Sequence, residues 1–181
     1  MQNLKLFKLP VGFRGRSAFI VQLWWLVQTT LFSPSPQFMY GWRNWLLRRF
    51  GAHIGKGVVI RPSVRITYPW KLEIGDYAWV GDNAELYTLG EIKIGNNAVI
   101  SQKSYLCTGS HDYKVETFDI YQIPIVIEDE AWIATDVYIA PGVTIGKGAI
   151  VGARSSVYQD MPAGMVCIGS PAKPYKKRDA L

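Results

Sequence analysis

The sequence predicts a solenoid of short parallel β-strands wound as a triangular prism, and three observations carry that prediction. Read in sixes from Ile127, the chain gives IEDEAW, IATDVY, IAPGVT, IGKGAI, VGARSS and VYQDMP, and each block opens on Ile or Val. The fifth place of these blocks is small or β-branched: Ala131, Val137, Val143, Ala149 and Ser155. The same phase runs upstream through Ile54, Ile60, Ile66, Ile74, Val80, Leu86, Ile94, Ile100 and Leu106. A period of six suits neither the 3.6-residue helix nor the two-residue strand. It suits three short strands per turn, with the aliphatic and small residues pointing inward. A doubly wound α/β domain would have to produce all these in-phase positions by coincidence.

Taken in order, the chain begins with a basic, aromatic leader. SAFIVQLWWLVQTTLF, from Ser17 to Phe32, reads as a helix capped by Ser17 and stopped by Ser33-Pro34-Ser35-Pro36. At roughly 24 Å it is short for a bilayer core of about 30 Å. A second segment, Gln37 to Phe50, sets Trp42, Trp45, Leu46 and Phe50 beside Arg43, Arg48 and Arg49, and Gly51 ends it. Eleven cations and no Asp or Glu precede Glu73, whereas the remainder is net acidic, which predicts an anionic partner surface at this end. Tryptophans interleaved with arginines suit a membrane interface. The same helices could instead close the open end of the solenoid, and the two roles are compatible. A signal peptide shares the basic start and apolar middle, but no convincing small-x-small cleavage site follows. Aromatic residues at helical spacing are more often core than a nucleic-acid stacking platform, so no nucleic acid is expected.

The repeats follow from Ile54 to Val157. Two extra residues precede Ile74 and two precede Ile94, which predicts bulged corners. Fifteen residues beyond the hexad separate Leu106 from Ile127, an excursion over roughly 112–124. Fifteen hexads make five turns, or about 24 Å at a strand spacing of about 4.8 Å. The small inward places are Val58, Val64, Ala78, Ala84, Ala98, Ser104 and Ser110. After Val157 the pattern lapses into a final strand and a basic tail. The organisation is therefore 1–50 leader, 51–168 solenoid and 169–181 tail.

Chemistry has few places to sit in such a chain. Cys107 and Cys167 are too few for a disulfide framework and stand in no metal-ligand spacing, so no metal is expected and a reducing cytoplasm fits. Of the two histidines, His53 precedes the first turn and reads as a solvated or capping residue. His111 stands where the third turn opens into the only long excursion, in SYLCTGSHDY, and can take a proton near neutral pH.

Residues 51–174 resemble the hexapeptide-repeat O-acetyltransferases. YPWKLEIGD, ISQKSYLCTGSHDY and GSPAKP, together with the leader before FGAHIGKGVVI, are similar to the colanic-acid-biosynthesis type of exopolysaccharide acetyltransferase. Hexads alone say little about function, since nucleotidyltransferase tails and γ-class carbonic anhydrases also carry them; the TGSHDY segment is more specific. A γ-class carbonic anhydrase needs three histidine ligands per metal, and this chain has two histidines.

The resemblance implies a mostly β fold, a left-handed parallel β-helix of about five triangular coils with N-terminal helices and a short C-terminal tail. It implies a homotrimer with active sites in the grooves between prisms, and acetyl-CoA as co-substrate. His111 matches the catalytic base. Ala134 and Ala153 match corners that bind coenzyme A and whose amides would meet the oxyanion, Thr135 and Ala153 would line the pantetheine, and Lys173 falls where relatives place a cation for the nucleotide phosphates. Trp132 corresponds to an aromatic beside the substrate. Asp112, taken with Trp132 as substrate-binding, neighbours the base and, like Glu116, is a candidate to orient it. Galactoside-type relatives carry an Asn at the place of Gly81 and acidic residues at the places of Thr88 and Leu89, so a simple galactoside is not the expected acceptor. The expectation is acetyl transfer to a sugar hydroxyl of a glycan precursor; the basic aromatic leader suits a lipid-linked precursor at the cytoplasmic membrane face, and free and nucleotide-linked acceptors stay open. A small-molecule acetyltransferase of the antibiotic or serine type and a non-catalytic β-helical scaffold are the alternatives.

Overall fold

The computed structural model describes residues 1–179. The chain forms the predicted left-handed β-helix, with three parallel sheets as its faces. The first face stacks His53–Ile54, Leu72–Ile74, Ile92–Ile94, Ile125–Ile127 and Thr144–Ile145. The second stacks Val59–Ile60, Trp79–Val80, Val99–Ile100, Trp132–Ile133, Ile150–Val151 and Met165–Gly169. The third stacks Arg65–Ile66, Glu85–Tyr87, Tyr105–Cys107, Tyr138–Ile139 and Ser156–Val157. Every hexad-opening residue points into one continuous apolar core.

Where the second place of a hexad is glycine, as at Gly55, Gly75 and Gly95 on the first face, the reason is steric. A Cβ on Gly95 would lie 2.5 Å from the Asp129 amide of the next coil. At the same corner, Asp76, Asn96 and Asp129 each accept, through Oδ1, the amide hydrogen of a residue one coil earlier: Lys56, Asp76 and Asn96.

Four expectations need correction. Ser110 does not point into the prism; it lies half-buried in Gly109–His111, which pairs antiparallel with Ile120–Gln122 as a hairpin that leaves the helix. The excursion thus leaves the coil at Gly109, before residue 112. The stack also continues past Val157, because Met161 bridges Ile145 and Cys167 pairs with Val151, beginning a sixth turn. The step from Val157 to Met161 is four residues, and that short step breaks the six-residue phase. Within 169–181, read as a tail, Ala172–Lys177 is a strand antiparallel to Met165–Gly169; residues 180 and 181 lie outside the described residues.

The leader closes the open end. Helix α1 (Ala18–Val27), capped by the Ser17 hydroxyl as expected, runs into a π-turn at Gln28–Phe32, and α2 covers Tyr40–Arg49. The first coil has no preceding strand, so its edge groups need partners from elsewhere. The helices supply them from side chains. Trp24 Nε1 donates to the Ile66 carbonyl at 2.8 Å, and Gln28 Oε1 accepts the Ile66 amide at 2.8 Å. Arg43 Nε donates to Ile60 O at 2.7 Å, Asn44 Nδ2 to Val58 O at 2.8 Å, and Arg48 to Ile54 O and Gly55 O.

Arg43 is fully buried without a carboxylate, and its other donors reach Ser35 Oγ, Pro36 O and Gln37 O. Burial pushes its pKa down, yet a guanidinium stays charged and the carbonyls take the place of water. Part of the positive excess of the leader is therefore structural. Arg43→Ala would orphan several carbonyls and is expected to cost about 3 kcal/mol or more, whereas Arg49→Ala, on the exposed side, should stay within about 0.5 kcal/mol. Denaturant unfolding of the two variants checks the contrast.

Candidate functional site

All three insertions into the hexad phase fall at one corner, where the third face turns into the first. The corners stack on each other through threonines. Thr88 Oγ1 accepts the Tyr68 amide at 2.7 Å and donates to the Tyr68 carbonyl, and Thr108 Oγ1 accepts the Gly90 amide at 2.7 Å and donates to Tyr87 O. Thr88 and Leu89, which stand in place of acidic residues, are buried in this stack. The hairpin rises from it. Gly109 is needed at its root, since a Cβ there would come within 2.6 Å of Leu89 Cδ1.

His111 sits on this hairpin opposite Ile120. Its Nδ1 is 2.8 Å from the Phe118 carbonyl oxygen. A carbonyl can only accept, so the neutral ring carries its proton on Nδ1 and leaves the Nε2 lone pair free. The ring stacks on Phe118 with centroids 4.3 Å apart and 6° between planes, and Phe7 of the leader lies 5.8 Å away. Neither acidic candidate orients the imidazole. The Asp112 carboxylate accepts the Lys114 amide at 2.9 Å, and the Asp112 amide donates to Asp119 O, which closes the loop. Glu116 meets Asn3 through its carbonyl. Sequence reasoning missed Phe118 because the working group is a main-chain carbonyl, which leaves no signature in residue type.

The remaining candidates line a different corner, between the second and third faces. Thr135 and Ala153 occupy equivalent third places of successive coils, and the Arg154 amide donates to Thr135 O at 3.0 Å. Their own amides have no partner among the described residues and are available to a ligand. The Ala134 amide is not, because it donates to Val151 O at 2.9 Å; this corrects the expectation that it meets an oxyanion. Lys173 is exposed and pairs with Ile168, the residue against Gly152. It therefore continues the line from Thr135 and Ala153. Trp132 stands half-exposed on the second face and donates from Nε1 to Ser101 Oγ at 2.9 Å.

Between the corners, the third face carries a column of tyrosines. Tyr87, Tyr105, Tyr138 and Tyr158 follow one another with centroids 5.9, 5.9 and 5.8 Å apart. Burial raises the Tyr105 phenol and pushes Tyr138 up to about 12, with the nearby Cys107 adding to both, so this surface stays uncharged. The structure thus brings together Thr135, Ala153 and Lys173, keeps Asp112 beside His111, and separates the two groups by a prism face. The tautomer is open to test: ¹⁵N NMR of neutral His111 should show a protonated Nδ1 and an unprotonated Nε2.

Residues 124–159 match the family model described as bacterial transferase hexapeptide (six repeats). Over 178 residues, 98% of each chain, the protein is 64% identical to a protein of Escherichia coli K12 named as colanic acid biosynthesis acetyltransferase WcaF. It is 30% identical to the galactoside O-acetyltransferase of the same organism, over 72% of this chain and 66% of that one. Among solved structures, the hexapeptide-repeat acetyltransferase VCA0836 of Vibrio cholerae complexed with acetyl coenzyme A superposes with a TM-score of 0.81. The identity is 27%, and 92% of both chains is covered. The chain belongs to the hexapeptide-repeat acetyltransferases, in the branch of the colanic acid biosynthesis acetyltransferases.

Proposed function

We propose that the protein transfers acetyl from acetyl-CoA to a hydroxyl of a sugar in a surface-polysaccharide precursor, with His111 as general base. The observation that carries this reading is the Nδ1–H to Phe118 carbonyl bond, which leaves the Nε2 lone pair free on the hairpin. Nε2 takes the proton of the acceptor hydroxyl as that oxygen bonds to the acetyl carbon. The thioester C–S bond breaks, and coenzyme A leaves as the thiol once the proton is passed on. The free amides at Thr135 and Ala153 suit the amide carbonyls of a pantetheine arm, and the Lys173 ammonium suits the nucleotide phosphates. Holding both substrates in one groove supplies the larger share of rate through proximity.

Base and coenzyme line lie on different corners of one prism, so a single chain does not complete the site. A trimer in which the His111 corner of one copy faces the Thr135–Ala153 corner of the next resolves this. His111→Ala is expected to lower turnover about a hundredfold or more with coenzyme A affinity little changed. Ala153→Trp, which blocks the coenzyme line, should be inactive by itself. Co-refolding the two inactive variants in equal amounts should restore about a quarter of the wild-type activity, because half of the bases and half of the coenzyme lines remain intact. No recovery on mixing, or an active monomer in light scattering, would remove the shared groove.

The acceptor fits a lipid-linked precursor on the cytoplasmic face of a membrane, with the cap resting on the bilayer. No helix among the described residues is long and apolar enough to cross one. The outer surface of the cap nevertheless exposes Phe19 at 73%, Phe38 at 79% and Trp45 at 50%, with Leu26 and Leu31 also exposed. A groove of about 540 Å³ between α1 and α2 adds Arg16, Arg48 and Arg49 to Leu23 and Trp45. An apolar patch rimmed by cations suits interfacial binding, each cation near an anionic surface contributing about 1 kcal/mol. Removing the whole leader would unpair the first coil, so the test uses point variants. Full-length protein should sediment with anionic vesicles at low salt, and Phe19→Ser/Trp45→Ser/Arg49→Ser should remain in the supernatant with its melting temperature kept. Equal sedimentation of both would show that the helices only cap.

A further inference from the structure

We propose that the N-terminal arm, residues 3–14, is a strap that positions His111, with Phe7 and Lys71 as its positioning residues. The inference rests on His111 being the base. The hairpin at 109–122 leaves the prism, so its own coil neighbours do not hold it. Among the described residues, and apart from a local contact of the Cys107 thiol with Gly109 O, two hydrogen bonds leave it. One is the Asn3 amide to the Glu116 carbonyl at 2.8 Å, from the arm to the outer loop. The other is Lys71 Nζ to Gln122 Oε1 at 2.9 Å, at the strand that pairs with the one bearing His111.

Lys71 joins three segments at once. Besides Gln122, its ammonium donates to Phe13 O of the arm at 2.9 Å and to Leu89 O of the bulged corner. An ammonium has three N–H donors, and each meets an acceptor from a different part of the chain. Burial lowers its pKa, with Glu91 the sole opposing charge, and no carboxylate makes an ion pair with it among the described residues. Such a charge costs free energy to bury and is explained by the junction it holds. The Phe13 and Tyr68 rings lie 5.5 and 5.7 Å from the ammonium. Phe13 packs with Val21, Tyr68 and Leu89, and Ile120, the partner of His111 across the hairpin, rests on that cluster. Trp70 Nε1 pins the next residue of the arm through Arg14 O at 2.7 Å. Between the two anchors the arm brings Phe7 against the imidazole at a tilt of 57°. The ring is then bounded by Phe118 and by Phe7, and its Nε2 direction is fixed on both counts. Displacing a base by about 1 Å can lower the rate by up to a hundredfold.

The test compares Phe7→Ala, Phe7→Tyr and Lys71→Met in the full-length protein. Phe7→Ala and Lys71→Met should each lower kcat tenfold or more while KM for acetyl-CoA stays within about twofold. In both, hydrogen exchange should quicken at 109–122 and stay slow in the coils. Phe7→Tyr, which keeps the ring, should retain kcat. Unchanged kcat with unchanged exchange at 109–122 overturns the strap. So does a fall in kcat accompanied by faster exchange throughout the coils, which marks general destabilisation. If the wild-type protein acetylates no sugar acceptor, the functional reading fails separately, and exchange at 109–122 still decides whether the arm holds the hairpin.

Discussion

The fold depends on one constraint: every coil must hand its backbone donors and acceptors to the coil next to it. Inside the prism this is automatic, because each strand lies between two others at the ladder spacing. At the first coil it is not. There the carbonyls of Ile54, Val58, Ile60 and Ile66 would open onto a second strand stack or onto another molecule. The leader answers with Trp24, Gln28, Arg43, Asn44 and Arg48, side chains long enough to reach strand positions from a helix. This explains why polar residues sit amid an apolar leader, and why arginines there lack acidic partners. They are matched to carbonyls, and a carboxylate would compete for them.

The same constraint decides where function can reside. A residue within a hexad lies in the core, on a flat face or at a tight corner, so a side chain that must reach out from the prism requires a departure from the period. In this chain every departure before Val157 falls at the corner between the third and first faces. The two small bulges, linked through Thr88 and Thr108, build a platform in register beneath the third and largest insertion. The hairpin that carries His111 rises from this platform, and hydrogen bonds from Asn3 and Lys71 tie it to the rest of the chain.

The hexads made the prism legible before any coordinates, because an inward residue must recur at a fixed interval. The place of His111 at the root of the long break in that interval was legible as well. The cap bonds were not. They rely on which helical side chains face the strand edge, and a helix apolar nearly all round hides that. The Phe118 carbonyl and the positions of Phe7 and Lys71 were hidden for a related reason, since they join segments far apart in sequence through main-chain atoms. The handedness came from the resemblance, because general chain sterics favour the opposite crossover.

The same sterics bear on Gly81, where the resemblance sets an Asn of galactoside-type relatives and the difference reads at first as a lost contact. Gly81 occupies the second place of its hexad, and a Cβ there would lie 2.7 Å from the Gln102 amide of the next coil. An Asn at 81 therefore needs a corner of different shape beneath it, and one substitution would strain the coil without creating that acceptor site. Beside it, Arg61 and Asp82 pair at 2.8 Å, with Ser63 also bonded to the carboxylate. Burial alone would raise the Asp82 pKa, but these two hydrogen bonds outweigh it and hold the carboxyl below its ordinary value. The surface next to Gly81 is consequently a neutralised, preformed pair flanked by Tyr40 and Trp79. A side chain at position 81 would therefore require the neighbouring corner to change with it.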